Sequence, residues 1–255
     1  MQFKKKRDFE RKNNWKVVFP LFLIYILLAF MFAFAEAAPN GPANVNITAN
    51  ETAGATGAAT VNISGGYIAT LNITAASQNP RWKAFVGQVS GSFSLQDASG
   101  STLYDWSLTS VSGEIYATRN ASSVTWANSQ CANTTLIETE NLRMNHSSSA
   151  DNITATFDDT THSAFVVAGV SITANTCPTL NTYVGNATQD TDFEEMIITD
   201  STNFTAGGNL IYVTIMESNA VGFDSVAYDF QMIVPENGLD TFTSSTAYYL
   251  YVELT

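Results

Sequence analysis

The sequence predicts an all-β fold, an antiparallel β-sandwich that follows an N-terminal apolar leader helix. Three observations carry this expectation. Stretches in which apolar and polar side chains alternate recur from residue 67 to the end, the period-two pattern of a half-buried strand. Turns containing Gly, Asn and Asp separate them, and helical periodicity is nearly absent. Ahead of all this lies a charge-free run of nineteen residues, 17–35. An Ig-like and a jelly-roll-like strand order fit the pattern equally, because connectivity leaves no local signature.

The leader begins with seven basic side chains in its first sixteen residues, against Asp8 and Glu10 only. Such a positive flank stays in the cytoplasm. The apolar run after it ends in small residues, Ala33, Ala35 and Ala37. Two readings of residues 1–37 fit. One is a signal peptide cleaved after Ala35 or Ala37; the other is an uncleaved anchor that meets the membrane through residues 17–35 alone. Both place the rest of the chain outside the cytoplasm, extracellular or on the cell surface.

Residues 38–66 are rich in Ala, Asn, Thr and Gly and contain no aromatic side chain, as expected of a linker. Two alternating stretches within it, 43–48 and 60–64, are candidate edge strands and make the segment a candidate donor strand for a neighbouring copy. The sandwich is expected over 67–255. Its strands are expected at 67–74, 83–90, 92–96, 102–108, 114–118, 152–157, 165–173, 209–216, 226–234 and 247–254, with one short helix at 135–144.

Beyond the leader the chain keeps four basic residues, Arg81, Lys83, Arg119 and Arg143, against twenty acidic ones, a net charge of −16. That surface repels phosphate backbones, so a nucleic-acid partner is excluded. Two cysteines, Cys131 and Cys177, are expected to form one disulfide in an oxidising compartment.

The triplet Asn-x-Ser/Thr, the acceptor pattern for N-glycosylation, occurs ten times after the leader, at Asn46, Asn50, Asn62, Asn72, Asn120, Asn133, Asn145, Asn152, Asn186 and Asn203. At Asn46, Asn62 and Asn72 the Asn and its hydroxyl partner are two residues apart in an alternating stretch. On a strand both face solvent while the aliphatic neighbours turn inward.

No catalytic constellation emerges. His146 and His162 are the only histidines and are expected to be solvated or locally hydrogen-bonded. No Gly-x-Ser-x-Gly elbow is present to carry a nucleophile. Adjacent acids such as Asp158-Asp159 and Glu194-Glu195 point to opposite faces of a strand and do not form a working pair. Asp190, Asp192 and Glu194 lack the Gly and terminal Glu of an EF-hand loop, so no metal and no cofactor is expected. Trp82, Trp106 and Trp126 are expected in the core.

Residues 81–91 (RWKAFVGQVSG), 95–100 (LQDASG), Tyr104-Asp105-Trp106 and 114–120 (EIYATRN) resemble a pattern in uncharacterised exported archaeal surface proteins. The resemblance covers about forty residues; it implies an archaeal envelope setting and no catalytic residues. Together these readings lead to an expectation of a non-enzymatic structural surface glycoprotein, a coat or filament subunit whose partners are its own copies or other envelope proteins. An adhesin or carbohydrate-binding module is the alternative, and a secreted glycan hydrolase fits least.

Overall fold

A computed structural model describes residues 38–120, 124–186, 188–201 and 208–255. The leader and Asn203 lie outside the described residues. The described chain is mostly antiparallel β-structure, with fourteen strands, two short α-helices and a 3-10 turn at Trp126–Asn128.

In chain order the strands are β1 (Trp82–Gly87), β2 (Ser92–Gln96), β3 (Thr102–Ser107), β4 (Gly113–Thr118), β5 (Gln130–Cys131), β6 (Phe165–Val167), β7 (Val170–Ile172), β8 (Thr179–Val184), β9 (Thr188–Thr199), β10 (Leu210–Ile215), β11 (Ala220–Val221), β12 (Ala227–Tyr228), β13 (Phe230–Pro235) and β14 (Tyr249–Leu254). Helices α1 (Thr134–Arg143) and α2 (Ile153–Thr156) fall between β5 and β6.

The main sheet runs β14-β4-β10-β9-β5, and β8 joins β9 as well. Because β10 already occupies one side of β9, β5 and β8 share the other. A second, two-stranded sheet pairs β1 with β13, Phe85 opposite Met232. It packs with α1 and α2 over one face of the main sheet, where Ile115, Ala117, Ile197 and Tyr212 meet Phe85, Met232, Val234, Ile137 and Phe157. On the opposite face, Tyr116, Met196, Ile198, Ile211 and Val213 meet Phe165, Val167, Ile172 and Cys177. With apolar cover on both faces, β4 is buried at every position. A strand of this kind reads as a continuous apolar run and not as an alternation.

Several expected elements differ. Residues 67–74 form no strand, and neither do 43–48 or 60–64; all are exposed. Their alternation is genuine, but no described strand pairs with them. Residues 152–157 form α2 and not a strand, because the Asn152 side chain accepts the Ala155 N–H at 2.8 Å and caps a helical turn. Residues 165–173 split into the β6-β7 hairpin, since Ala168 and Gly169 both adopt positive φ, as a tight two-residue turn requires. The expected strand 226–234 breaks at Asp229, a buried carboxylate that accepts the N–H groups of Val89 and Asn219 at 2.7 and 2.9 Å. Strands β8 and β9 escaped the sequence reading, since the first half of β9, Thr188 to Asp192, is polar and exposed.

Cys131 and Cys177 form a disulfide with Cα atoms 4.8 Å apart. It joins β5 to the chain entering β8, so both neighbours on that side of β9 are tied together.

Candidate functional site

The chain touches the main sheet at Asn40, whose N–H and C=O pair with Val252 of edge strand β14 at 3.0 and 2.8 Å. It then leaves the body. From residue 43 to residue 80 every side chain is exposed. One tight turn interrupts this excursion: the Tyr67 N–H donates to the Ser64 carbonyl at 3.4 Å, and Gly66 sits at φ +88°, a conformation that glycine adopts without a side-chain clash. Apolar side chains along the excursion stand in water, with Ile47 82%, Ile68 99% and Ile73 83% exposed. Glu51 is the only charge between residues 41 and 79. A nearly uncharged, strand-patterned segment with exposed aliphatics is the kind of surface that folded proteins cover or pair.

The excursion returns at Pro80, where Asp151 holds the chain. Its carboxylate accepts Asn79 Nδ2 at 2.6 Å and Arg81 Nη1 at 3.3 Å, and its carbonyl accepts the Trp82 indole N–H at 2.9 Å. Burial pushes the Asp151 carboxyl up, but the Asn79 hydrogen bond and the Arg81 charge outweigh it and hold it below its ordinary value. Strand β1 follows. The Glu236 N–H donates to the Arg81 carbonyl at 2.7 Å, which sets residues 81, 83, 85 and 87 as the hydrogen-bonded pairs with β13. The N–H and C=O of Ala84 and Val86 therefore face the other way, along an outer edge with which no strand pairs among the described residues.

Beneath that edge, the inward side chains of β14, Leu250, Val252 and Leu254, are only half-buried, although their neighbours Ile115 and Ala117 in β4 are fully covered. Lys83 Nζ reaches Glu236 Oε2 at 2.7 Å and the Thr246 carbonyl at 2.6 Å, and lies 5.2 Å from the Tyr248 ring centre. Burial raises the Glu236 carboxyl, yet hydrogen bonds from Lys83 and Thr246 bring it below its usual range. The acids beside β1 are thus already neutralised.

The sequons fall into two groups. Asn46, Asn50, Asn62 and Asn72 all lie on the exposed excursion. The remaining described ones have work to do in the fold. Asn133 caps α1 by accepting the Leu136 N–H at 3.0 Å, as Asn152 caps α2. Asn120 Nδ2 donates to Asn209 Oδ1, and Asn145 Nδ2 to Asn237 Oδ1 at 3.0 Å. Asn145 and Asn186 take left-handed backbone, φ 59° and 58°, which Asn tolerates better than other side chains. Glycopeptide mass spectrometry of the native protein is therefore expected to find near-complete occupancy at Asn46, Asn50, Asn62 and Asn72, and lower occupancy at Asn120 and Asn145. The reverse ranking would disprove this order.

Both histidines are buried and bonded, not solvated. His162 Nδ1 lies 2.6 Å from the Ser163 carbonyl, and its Nε2 accepts the N–H groups of Thr176 and Cys177 at 3.0 and 2.9 Å. This fixes the Nδ1–H tautomer and braces the loop that carries Cys177. His146 Nε2 lies 2.7 Å from the Glu236 carbonyl. Glu194 and Glu195 diverge as their adjacency requires: Glu194 accepts the Ser163 N–H at 2.7 Å, while Glu195 reaches under β13 to the Ile233 N–H at 2.8 Å.

A carboxylate pair that sequence reasoning missed joins residues distant in the chain. Glu114 and Glu253 are opposite in the β4-β14 register and both buried. The Tyr116 hydroxyl donates to Glu253 Oε2 at 2.9 Å, and the Ala168 N–H donates to Glu253 Oε1 at the same distance. Burial, with the two carboxylates beside it, pushes the Tyr116 hydroxyl well up. The group is sealed beneath the β6-β7 turn, and its bonds serve to hold that turn. No cluster of three His, Cys, Asp or Glu side chains able to hold a metal occurs among the described residues.

Trp82 and Trp126 pack into the body, Trp126 between Tyr116 and Tyr251. Trp106 does not. It lies on the β2-β3 hairpin, where Phe93 opposes Trp106 and Leu95 opposes Tyr104, and every residue of both strands is exposed. The i, i+2 apolar stripe was legible in the sequence. Nothing local distinguishes a stripe that packs inward from one left bare.

No protein family, curated protein or solved structure matches this chain.

Proposed function

We propose that this chain is a non-enzymatic structural subunit of an extracellular coat or filament on the cell envelope, exported by its leader, N-glycosylated and joined to its own copies. The observation that carries this reading is the excursion of residues 43–78: strand-patterned, exposed at every position and carrying the single charge of Glu51. A body carrying nineteen acids against four basic residues over 80–255 resists association wherever charges meet, so an arm with one charge, Glu51, is suited to joining copies. The disulfide, the half-covered rim and the antiparallel two-sheet build, which we read as a β-sandwich, fit a durable passive unit. Sugars on the excursion would keep its polar faces in water.

The native protein released from its source is expected to run as a ladder of oligomers or as filaments by gel filtration and negative-stain microscopy. Deletion of residues 43–74 is expected to shorten or abolish them. A native protein that is strictly monomeric at envelope concentrations would end this reading.

One observation favours a second role. The exposed face of Phe93, Leu95, Tyr104 and Trp106 suits stacking on sugar rings or on an apolar partner, as in an adhesin. Binding on a glycan array that is lost in Trp106→Ala would support it, and an array without signal would remove it.

A further inference from the structure

The excursion and the open rim of the body have complementary requirements. Strand β1 presents the backbone N–H and C=O of Ala84 and Val86 to an outer edge with which no described strand pairs. Below it, Leu250, Val252 and Leu254 are half-buried, with Gly91 against Leu254. A third strand beside β1 would satisfy the first need and, if one of its faces were apolar, the second. Residues 67–74 have that form: Tyr67, Ala69, Leu71 and Ile73 share one face, and Ile68, Thr70, Asn72 and Thr74 share the other. Eight residues of strand span about 26 Å, enough to cover the six of β1.

We propose that the outer edge of β1 accepts residues 67–74 of a second copy of this chain as the third strand of the small sheet. The inference rests on the self-association reading above and names its joint. Charge selects the occupant. The segment is uncharged, and the acids flanking the edge, Asp151 and Glu236, already pair with Arg81 and Lys83 at 3.3 and 2.7 Å. An uncharged strand therefore meets no like charge there, while the body of another copy carries nineteen acids against four basic residues over 80–255. The apolar face of the strand would lie over Leu250, Val252 and Leu254, and Asn72 would carry its glycan on the outward face.

Geometry allows the exchange. The five residues 75–79 link the donated strand to the Asp151 clamp and reach at most about 18 Å, so donor and acceptor bodies must touch. The twenty-six residues from 41 to 66 reach about 85 Å and impose no such limit. The joint is heterologous, an arm of one copy in the edge of the next, so it propagates into a filament unless rotation closes a ring.

The test uses the full secreted chain and two variants. Leu71→Asp with Ile73→Asp spoils the donated face and lies outside the packed body, so folding is untouched. Val86→Pro removes an edge N–H that β13 does not use, which an edge strand tolerates; its melting temperature is checked against wild type. Each variant alone is expected to remain monomeric, and an equimolar mixture to form dimers and nothing longer. In wild-type assemblies the Ala84 and Val86 amides are expected to exchange about 100-fold more slowly than in the Leu71→Asp/Ile73→Asp monomer. Wild-type assemblies that persist in the donor variant, or edge amides that exchange equally in both, would overturn this joint while leaving self-association standing. Wild-type monomers with residues 67–74 protected would show the strand folded onto its own β1 and overturn both. The amide comparison decides the matter even where Val86→Pro fails to fold.

Discussion

Replacement of both cysteines, Cys131→Ala with Cys177→Ala, is expected to lower the melting temperature by about 8–16 °C. The bond closes a loop of 46 residues, and in the chain-entropy view a loop of that length restrains the unfolded chain by about 4 kcal/mol. For a domain of this size each kcal/mol moves the midpoint by about 2–4 °C. Cys177 is fully buried among Tyr116, Met196 and Ile198, and alanine leaves no polar group there. The bond also ties β5 to the entrance of β8, so its loss frees both neighbours of β9 on one side. Calorimetry of the two proteins under identical conditions is the measurement. Midpoints within two or three degrees would mean that the loop is already constrained in the unfolded chain.

Glu195 should make stability fall as pH rises, and Glu195→Gln should remove that fall. The side chain is fully buried beneath β13, and burial pushes its carboxyl well above the ordinary range, against the hydrogen bond from Ile233 N–H that favours the charged form. The sign follows from linkage. Below about pH 4, folded and unfolded chains both hold this proton and pH has no leverage. Above it the unfolded chain releases the proton while the folded chain keeps it, so stability declines by about 1.4 kcal/mol per pH unit until the folded group ionises too. Glutamine keeps an acceptor for Ile233 and never ionises. The difference in unfolding free energy, variant minus wild type, is therefore expected to be flat below about pH 4 and to rise above it. Urea unfolding of both proteins between pH 3.5 and 8 checks this, and parallel curves would contradict the buried, protonated state.

Much of the body was legible locally. The strands at 92–96, 102–107, 113–118 and 210–215 were each marked by their residues, as was the helix that begins after Asn133. In 210–215 Ile211, Val213 and Ile215, two apart on one face, pack together. Where the reading failed, a long-range partner or its absence decided the outcome. The pattern of 67–74 is as regular as any in the chain, yet it forms no strand, because a ladder needs an edge and periodicity does not supply one. Residues 152–157 alternate well enough for a strand, but the Asn152 cap satisfies the backbone within one turn and helix wins. Conversely, Thr188 to Asp192 carries no strand signal and is held in β9 by its partner β8.

The candidate site divides in the same way. The sequons, the scarcity of charge in residues 41–79 and the two cysteines were open to inspection, since they depend on residue type and spacing. The rim of β1, the half-cover of β14, the sealed pair Glu114 and Glu253 and the bare hairpin at Trp106 were not, since each is a relation between segments far apart in the chain.

The sequence by itself determined that the chain would be mostly β, that its body would be acidic and that its two cysteines were available to each other. These properties follow from side-chain chemistry and from the period of the backbone, both of which are local. Only the tertiary structure decided which alternating stretches become strands, which apolar faces are covered and which edge stays open. Pairing and burial are settled by what arrives from elsewhere in the chain, and to residues 43–78 no described strand arrives.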